Sequence, residues 1–264
     1  MIKKTQLKTP LTYYGGKQTM LPDILPLLPE HTLYCEPFAG GAAVYFAKER
    51  AKTNVINDLN QNLITFYKVL KNNPKKLKQL INDTLNSRDE YQHAWHVYKH
   101  PLRFTSVERA WAVWVLSKMS FAGQFSNSFA FDKQKGKRSQ QIANAKLLLT
   151  DELISLLESS TIECDNALTI IKRFDFDAAF FFIDPPYINA NMGHYSGMFN
   201  EQNLQELLEV CANMKGKFML TMYPHKLIQS FVDRYGWKIQ VVNRKVTASL
   251  NTRKDVSEWL IMNY

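Results

Sequence analysis

Thr32-Leu33-Tyr34-Cys35-Glu36-Pro37-Phe38-Ala39-Gly40-Gly41 decides the fold. Four β-prone residues run into a turn that carries two glycines. Residues 42–52 then read as a helix, and Asn54-Val55-Ile56-Asn57 as a second apolar strand closed by Asp58. Strand, glycine turn, helix, strand, acid is the opening of a βαβ unit. Further strands are expected at Thr161-Ile162-Glu163-Cys164, at Ala178-Ala179-Phe180-Phe181-Phe182-Ile183 and at residues 217–222. The second of these is apolar throughout, as befits a central parallel strand covered on both faces. Residues 200–214 read as a helix capped by Asn200, and 237–245 and 256–263 as a terminal antiparallel pair.

Between these two blocks the pattern changes. Residues 63–70, 77–85 and 107–119 have helical periodicity without strand alternation, while residues 121–136 are polar, aromatic and glycine-bearing, as in a loop or hairpin. The expected fold class is therefore α/β: a doubly wound sheet with helices on both faces, interrupted by a mainly helical insert. The expected domains are 1–60 with 159–264, and an insert at 61–158.

Charge follows the same division. The 264 residues carry 33 Lys+Arg against 24 Asp+Glu, a net charge of +9. Residues 61–158 hold 15 basic and 8 acidic side chains, whereas residues 159–264 hold 11 of each. A polyanion partner for the middle module is expected, bound through phosphates and hence without sequence information from these charges alone. The 45% apolar and 22% charged composition is that of an ordinary globular chain. No run approaches 18 consecutive apolar residues and the first residues lead into no hydrophobic stretch, so neither a membrane span nor a secretory signal is expected. Cys35, Cys164 and Cys211 form no paired motif and fit buried thiols in a cytoplasmic protein.

Two turns carry chemistry. Glycines after a strand let the backbone approach a ligand at the carboxyl edge of the sheet, where doubly wound folds bind nucleotides. The turn is not a GxGxxG loop, and Glu36 opposes a pyrophosphate, so a cationic or amino-bearing ligand suits it better. Asp58, 18 residues after Gly40, has the spacing of an acid that accepts from ribose hydroxyls; a tight turn with an exposed Asp has the same spacing. The second turn, Asp184-Pro185-Pro186-Tyr187, places a carboxylate directly after a buried strand. Two prolines fix φ and remove two N–H donors, leaving a rigid, acceptor-only clamp beside an aromatic ring. It suits a flat ligand whose amine donates two hydrogen bonds while its face stacks on Tyr187. Tyr13-Tyr14-Gly15-Gly16-Lys17 adds aromatics, a turn and a cation, and is by itself equally a surface turn.

Taken in order, Tyr13 to Lys17, Glu36 to Gly41, Asn57-Asp58, a helical insert and Asp184 to Tyr187 resemble the Dam-type, alpha-group DNA adenine-N6 methyltransferases. The resemblance covers about residues 9–70 and 160–264. It implies a Rossmann-like methyltransferase that uses S-adenosylmethionine and acts on double-stranded DNA. By that resemblance Tyr13 stacks near the cofactor adenine and Lys17 sits by cofactor or DNA. Glu36, Phe38, Ala39 and Gly40 wrap the methionine part, Asp58 holds the ribose and Asp165 contacts the adenine amine. Asp184, Pro185, Pro186 and Tyr187 form the catalytic pocket, with Asp184 also lining the cofactor site. The insert departs from the pattern expected for GATC recognition: Gln124, Ser126 and Asn127 are candidates for base edges, and Lys133, Lys135, Lys137 and Arg138 for phosphates.

Other readings stay open at this stage. They are a methyltransferase acting on RNA adenine or a protein amide, a non-catalytic DNA-binding protein on the same scaffold, and a nicotinamide oxidoreductase that would leave the Asp-Pro-Pro-Tyr turn unexplained. A cognate restriction nuclease is a compatible partner, and the oligomeric state is not indicated. His93, His96 and His100 lie on one helix without an acid or Cys to complete a metal site, so no metal is expected. Trp95, Trp111 and Trp114 fit a helix core, and Gly193 to Gly197 suit a lid over the clamp or a plain loop.

Overall fold

The computed structural model describes residues 7–121, 125, 128–131, 136–188, 199–246 and 254–264. Along the chain the described elements are α1 (Leu21–Ile24), β1 (Leu33–Glu36), α2 (Ala43–Ala47), β2 (Thr53–Asn57), α3 (Gln61–Asn72), α4 (Pro74–Asp83), α5 (Arg88–Lys99) and α6 (Ser106–Met119). They continue with α7 (Lys137–Lys146), α8 (Asp151–Glu158), β3 (Ser160–Glu163), α9 (Ala167–Phe174), β4 (Ala179–Ile183), α10 (Glu201–Ala212), β5 (Lys217–Met222), α11 (Lys226–Tyr235), β6 (Lys238–Val246) and β7 (Lys254–Met262).

The strands form one sheet in the order β3-β2-β1-β4-β5-β7-β6. The β1–β5 pairings are parallel, and β7 lies antiparallel between β5 and β6. This is a doubly wound, Rossmann-like sheet closed on one side by an antiparallel terminal pair. Strand order reverses at the β1–β4 pair, and the crevice beyond such a switch point is where doubly wound sheets bind ligands. Glu36 ends β1 and Asp184 follows β4 immediately, so the two acids flank that crevice.

Strand parity sorts the two faces. Tyr34, Phe180, Phe182, Met219 and Leu260 enter one core with α2, α3 and α6, while Cys35, Phe181, Ile183, Leu220 and Ile261 enter the other with α9, α10 and α11. Because side chains alternate along a strand, Glu36, Asp184, Thr221 and Glu258 all continue the first face at or beyond the ends of their apolar residues. Helices α3 to α8 occupy the chain between β2 and β3, and α3, α4, α5 and α6 join that same first core. α6 is buried nearly all round, with Trp111 and Trp114 inside it and a Thr105–Glu108 capping box at its start. Such a cap contributes on the order of 1 kcal/mol.

Three sequence expectations shift. The helix expected over 42–52 is only α2, because Lys48 turns to an extended conformation and its buried ammonium binds Asn54 Oδ1 at 3.2 Å. Asn54 Nδ2 in turn donates to the Ala51 carbonyl at 3.0 Å, closing the tight return into β2. The helix expected to carry His93, His96 and His100 is α5, which ends at Lys99 with His100 as its cap. Cys35 and Cys211 are buried, but Cys164 is exposed: it directly follows β3, the edge strand, where no neighbouring strand covers it. No described helix is long and apolar enough to cross a membrane.

Candidate functional site

β4 is buried at every residue and ends at Asp184 because Pro185 and Pro186 have no N–H with which to continue a ladder. The β4–β5 register, Ile183 beside Leu220, sets Asp184 next to Thr221. The Thr221 hydroxyl donates to Asp184 Oδ1 at 2.6 Å, and Lys17 Nζ approaches the same oxygen at 2.7 Å. Among the described residues both contacts fall on Oδ1, so Oδ2 is the oxygen that remains for a ligand. Asp184 is half-buried, with its side chain 19% exposed, so the clamp is open on one side. Burial raises its pKa, and the Lys17 ammonium and the Thr221 hydroxyl counter that rise.

Lys17 is a buried residue, so of the two readings that its turn allows, the surface turn drops out. Its ammonium also donates to the Gly15 carbonyl at 2.8 Å, lies 3.4 Å from Glu258 Oε1 and sits 4.9 Å from the centre of the Tyr187 ring. Tyr187 is buried, packs edge-on against Tyr223 at 4.7 Å and donates its hydroxyl to Glu258 Oε1. Burial, with Asp184 and Glu258 nearby, holds this phenol well above its ordinary pKa. Pro185 is buried and Pro186 half-buried beside it.

The glycine turn is fastened from several sides. Gly40 has φ +48°, a conformation that favours glycine. A Cβ there would lie 3.1 Å from Tyr13 Cδ1, and one at Gly41 would lie 3.1 Å from Tyr13 Cβ, so Tyr13 packs directly on this turn. The Gly40 carbonyl accepts from the Tyr67 hydroxyl at 2.7 Å, and its amide donates to Asp58 Oδ2 at 2.9 Å. Asp58 Oδ1 accepts from the Asn60 amide at 2.9 Å, which leaves lone pairs on each carboxylate oxygen. Asp58 is half-buried and its pKa is raised by burial.

Glu36 lies beneath the turn rather than on its open side, 2% exposed. Its Oε1 accepts from the Tyr34 hydroxyl and from the Tyr45 amide near the start of α2, both at 2.6 Å. Burial nevertheless pushes its pKa up to about 8. Phe38 is half-buried and meets Phe199 edge-on, and the buried Ala39 donates its amide to the Asn57 carbonyl at 2.8 Å. Asp165 is the most open of the acids; it pairs with Arg173 at 3.0 Å and accepts from the Asn166 amide.

Of the insert residues, Gln124, Ser126, Asn127, Lys133 and Lys135 lie outside the described residues, as do Gly193 to Gly197. Among the described residues that flank the first three, Phe121 N donates to the Ser128 carbonyl and Ala130 N to that of Met119. Lys137 is exposed at the start of α7. Arg138 is turned inward: its Nη2 donates to the carbonyls of Lys118 at 2.9 Å and Ser120 at 3.1 Å, at the end of α6. His93 packs on Phe104 and Trp111, and His96 on Phe104 and His100.

Three residues carry the site without having been singled out in the sequence: Thr221, Glu258 and Tyr67. Strand parity beyond an apolar run points to the first two once strand pairing is known. Asn57 is fully buried, donating to the carbonyls of Pro37 at 2.8 Å and Asp165 at 3.0 Å and accepting from the Asp165 amide at 2.9 Å. It therefore clips together the loops after β1, β2 and β3.

Comparison with known proteins bears on this arrangement. A model of the D12 class N6 adenine-specific DNA methyltransferases matches residues 13–248. The type II methyltransferase M1.LlaDCHI of Lactococcus lactis is 30% identical over 200 residues, covering 70% of this chain and 67% of its own. The type II methyltransferase M.MjaIII of Methanocaldococcus jannaschii is 26% identical over 98% of this chain and 100% of its own. The DNA adenine methylase of Escherichia coli is 21% identical over 96% and 94% respectively.

Proposed function

Because the chain belongs to the D12 class N6 adenine-specific DNA methyltransferases, we propose that it uses S-adenosylmethionine to methylate an adenine flipped out of duplex DNA into the pocket beyond β4. The convergence of Thr221 and Lys17 on one oxygen of Asp184 carries this reading, because it leaves the other oxygen aimed at a ligand beside an acceptor-only proline turn.

The residues present fit the cofactor. Carboxylates follow β2 and β3 at Asp58 and Asp165, acceptors suited to two ribose hydroxyls and an adenine amine in turn, while the buried Glu36 at the end of β1 supports the glycine turn from beneath through Tyr34 and the Tyr45 amide. Gly40 and Gly41 bring the backbone close on the same side, with Tyr13 packed over them. Phe38 and Ala39 complete the wall. When bound, the cofactor supplies an electrophilic methyl group on a positively charged sulfur.

The chain's own residues do the rest. An exocyclic adenine amine is a poor nucleophile because its lone pair is delocalised into the ring. With its two N–H groups donating to Asp184 Oδ2 and the Pro185 carbonyl, the nitrogen is drawn toward tetrahedral geometry and its lone pair is oriented for in-line attack. Pro186 keeps the turn rigid. Asp184, its pKa raised by burial, is a better acceptor for the proton that the methylated nitrogen must lose. The base is out of reach inside a duplex, so it enters unstacked, and Tyr187 forms the aromatic side of its pocket.

In this reading residues 1–60 and 159–264 form the catalytic domain and 61–158 the target-recognition insert. Gln124, Ser126 and Asn127 are assigned to base edges and Lys133, Lys135 and Lys137 to phosphates, whereas Arg138, expected with them, is spent on closing the end of α6. A modification role would imply a cognate restriction nuclease as partner.

The test is direct. Purified protein with labelled S-adenosylmethionine should label adenine in duplex DNA, and Asp184→Ala should abolish transfer while cofactor binding persists. Label found only in cytosine, or normal transfer by Asp184→Ala, would overturn the assignment.

A further inference from the structure

We propose that Glu258 is a positioning residue for methyl transfer, holding the Tyr187 phenol with one hydrogen bond and dividing the charge of Lys17 between itself and Asp184. Glu258 sits in the middle of β7, with Trp259 and Leu260 next to it and Val242 across the ladder. Its side chain is 6% exposed. A carboxylate in such a place carries a desolvation penalty that an apolar residue would not, and is tolerated only where hydrogen bonds and an opposite charge compensate it. Its position follows from strand direction. β7 runs against β4 and β5, so residues before its pairing with β5 reach the carboxyl edge where Asp184 lies; Met222 pairs with Trp259, and Glu258 is one residue further.

Two links tie Glu258 to the clamp. Oε1 takes the Tyr187 hydroxyl, which fixes the ring that closes the Asp-Pro-Pro-Tyr turn. The same oxygen lies 3.4 Å from Lys17 Nζ, which lies 2.7 Å from Asp184 Oδ1. One ammonium thus serves two carboxylates. If Glu258 were neutral, Lys17 would pair with Asp184 alone, hold its carboxylate lower in pKa and make it a weaker acceptor for the amine protons. The charged and titratable groups around Asp184 are Lys17 from the N-terminal segment, Tyr187, Glu258 from β7 and Glu36 from β1; Thr221 of β5 adds a neutral donor.

The inference rests on Asp184 being the amine acceptor, so its test is built to fail separately. Single-turnover methylation of duplex DNA is measured for the full chain carrying Glu258→Gln, Glu258→Leu, Tyr187→Phe or both Glu258→Gln and Tyr187→Phe, across pH, alongside thermal unfolding and S-adenosylmethionine affinity. Glu258→Gln has the same shape and can still accept a hydrogen bond, so it keeps the fold even if Glu258→Leu does not. The expected result for it is a transfer rate lower by about tenfold, cofactor affinity within about twofold, and an acid limb of the pH profile moved to lower pH. Adding Tyr187→Phe to Glu258→Gln should cost less than the product of the two single effects. A wild-type rate and pH profile for Glu258→Gln, or a rate loss matched by loss of cofactor binding, overturns the proposal. Normal transfer by Asp184→Ala would instead remove the reading of the pocket itself.

Discussion

The Thr221 hydroxyl donates to Asp184 Oδ1 at 2.6 Å across the β4–β5 pair, so a residue outside the Asp-Pro-Pro-Tyr turn sets which carboxylate oxygen faces the crevice. Thr221→Val, nearly isosteric, removes only that donor. Single-turnover transfer is expected to fall roughly tenfold, with cofactor affinity held, and Thr221→Ser should restore most of it. An unimpaired Thr221→Val would show that the hydroxyl merely fills space.

Glu36 predicts how stability depends on pH. Its folded pKa of about 8 lies above the ordinary 4.5, so the folded state binds this proton more tightly than the unfolded one. Its contribution is fully present below pH 4.5 and is lost as pH rises toward 8. Lys48, lowered to about 8 by burial, acts with opposite sign in a separate window, regaining stability between pH 8 and 10.5. Glu36→Gln should therefore flatten the fall between pH 5 and 8 in a urea-unfolding series. A wild-type curve parallel to the variant's across that window contradicts it.

Asn57 uses one amide to join three loops. Asn57→Ala leaves buried carbonyls and an amide without partners, at about 1–3 kcal/mol each where water does not replace it. The expected outcome is a lower urea midpoint together with weaker S-adenosylmethionine binding, because both walls of the crevice lose their tie. Calorimetric binding with unchanged affinity would confine Asn57 to stability.

Lys137 and Arg138 are adjacent but should behave differently. Arg138 closes the end of α6 by donating to two carbonyls, so Arg138→Met should lower the melting temperature by about 2–4 °C. Exposed Lys137 should leave the melting temperature unchanged on substitution to Met. If it meets a phosphate, the slope of log affinity against log salt should drop by about one. Equal salt slopes for wild type and Lys137→Met would take it out of the interface.

Much of this architecture is written in local pattern. The β1 turn, the β4 run and its proline stop, and the β5 strand are each legible because an apolar run ending in a special residue depends on nearest neighbours alone. The helices of the insert are legible in period, and α5 less so because its buried positions are interleaved with His, Trp and Tyr that serve either role. The early end of α2 was not legible: it is set by Lys48 and Asn54 meeting across a return that only the folded chain makes. The inward turn of Arg138 was hidden for the same reason, since its partners are carbonyls 18 and 20 residues away.

From its amino-acid order alone this protein settles the alternation of strands and helices, the acids at the ends of β1, β2 and β4, and the rigid turn after β4, because backbone sterics and hydrophobic periodicity act over a few residues. Which oxygen of Asp184 is held, that Lys17 is buried between two carboxylates, and that Glu258 from β7 reaches the same pocket were decided only by the folded sheet. Those contacts depend on strand order, direction and register, which bring together residues 37 to 241 positions apart, and burial then strengthens charges that the unfolded chain would leave screened by water.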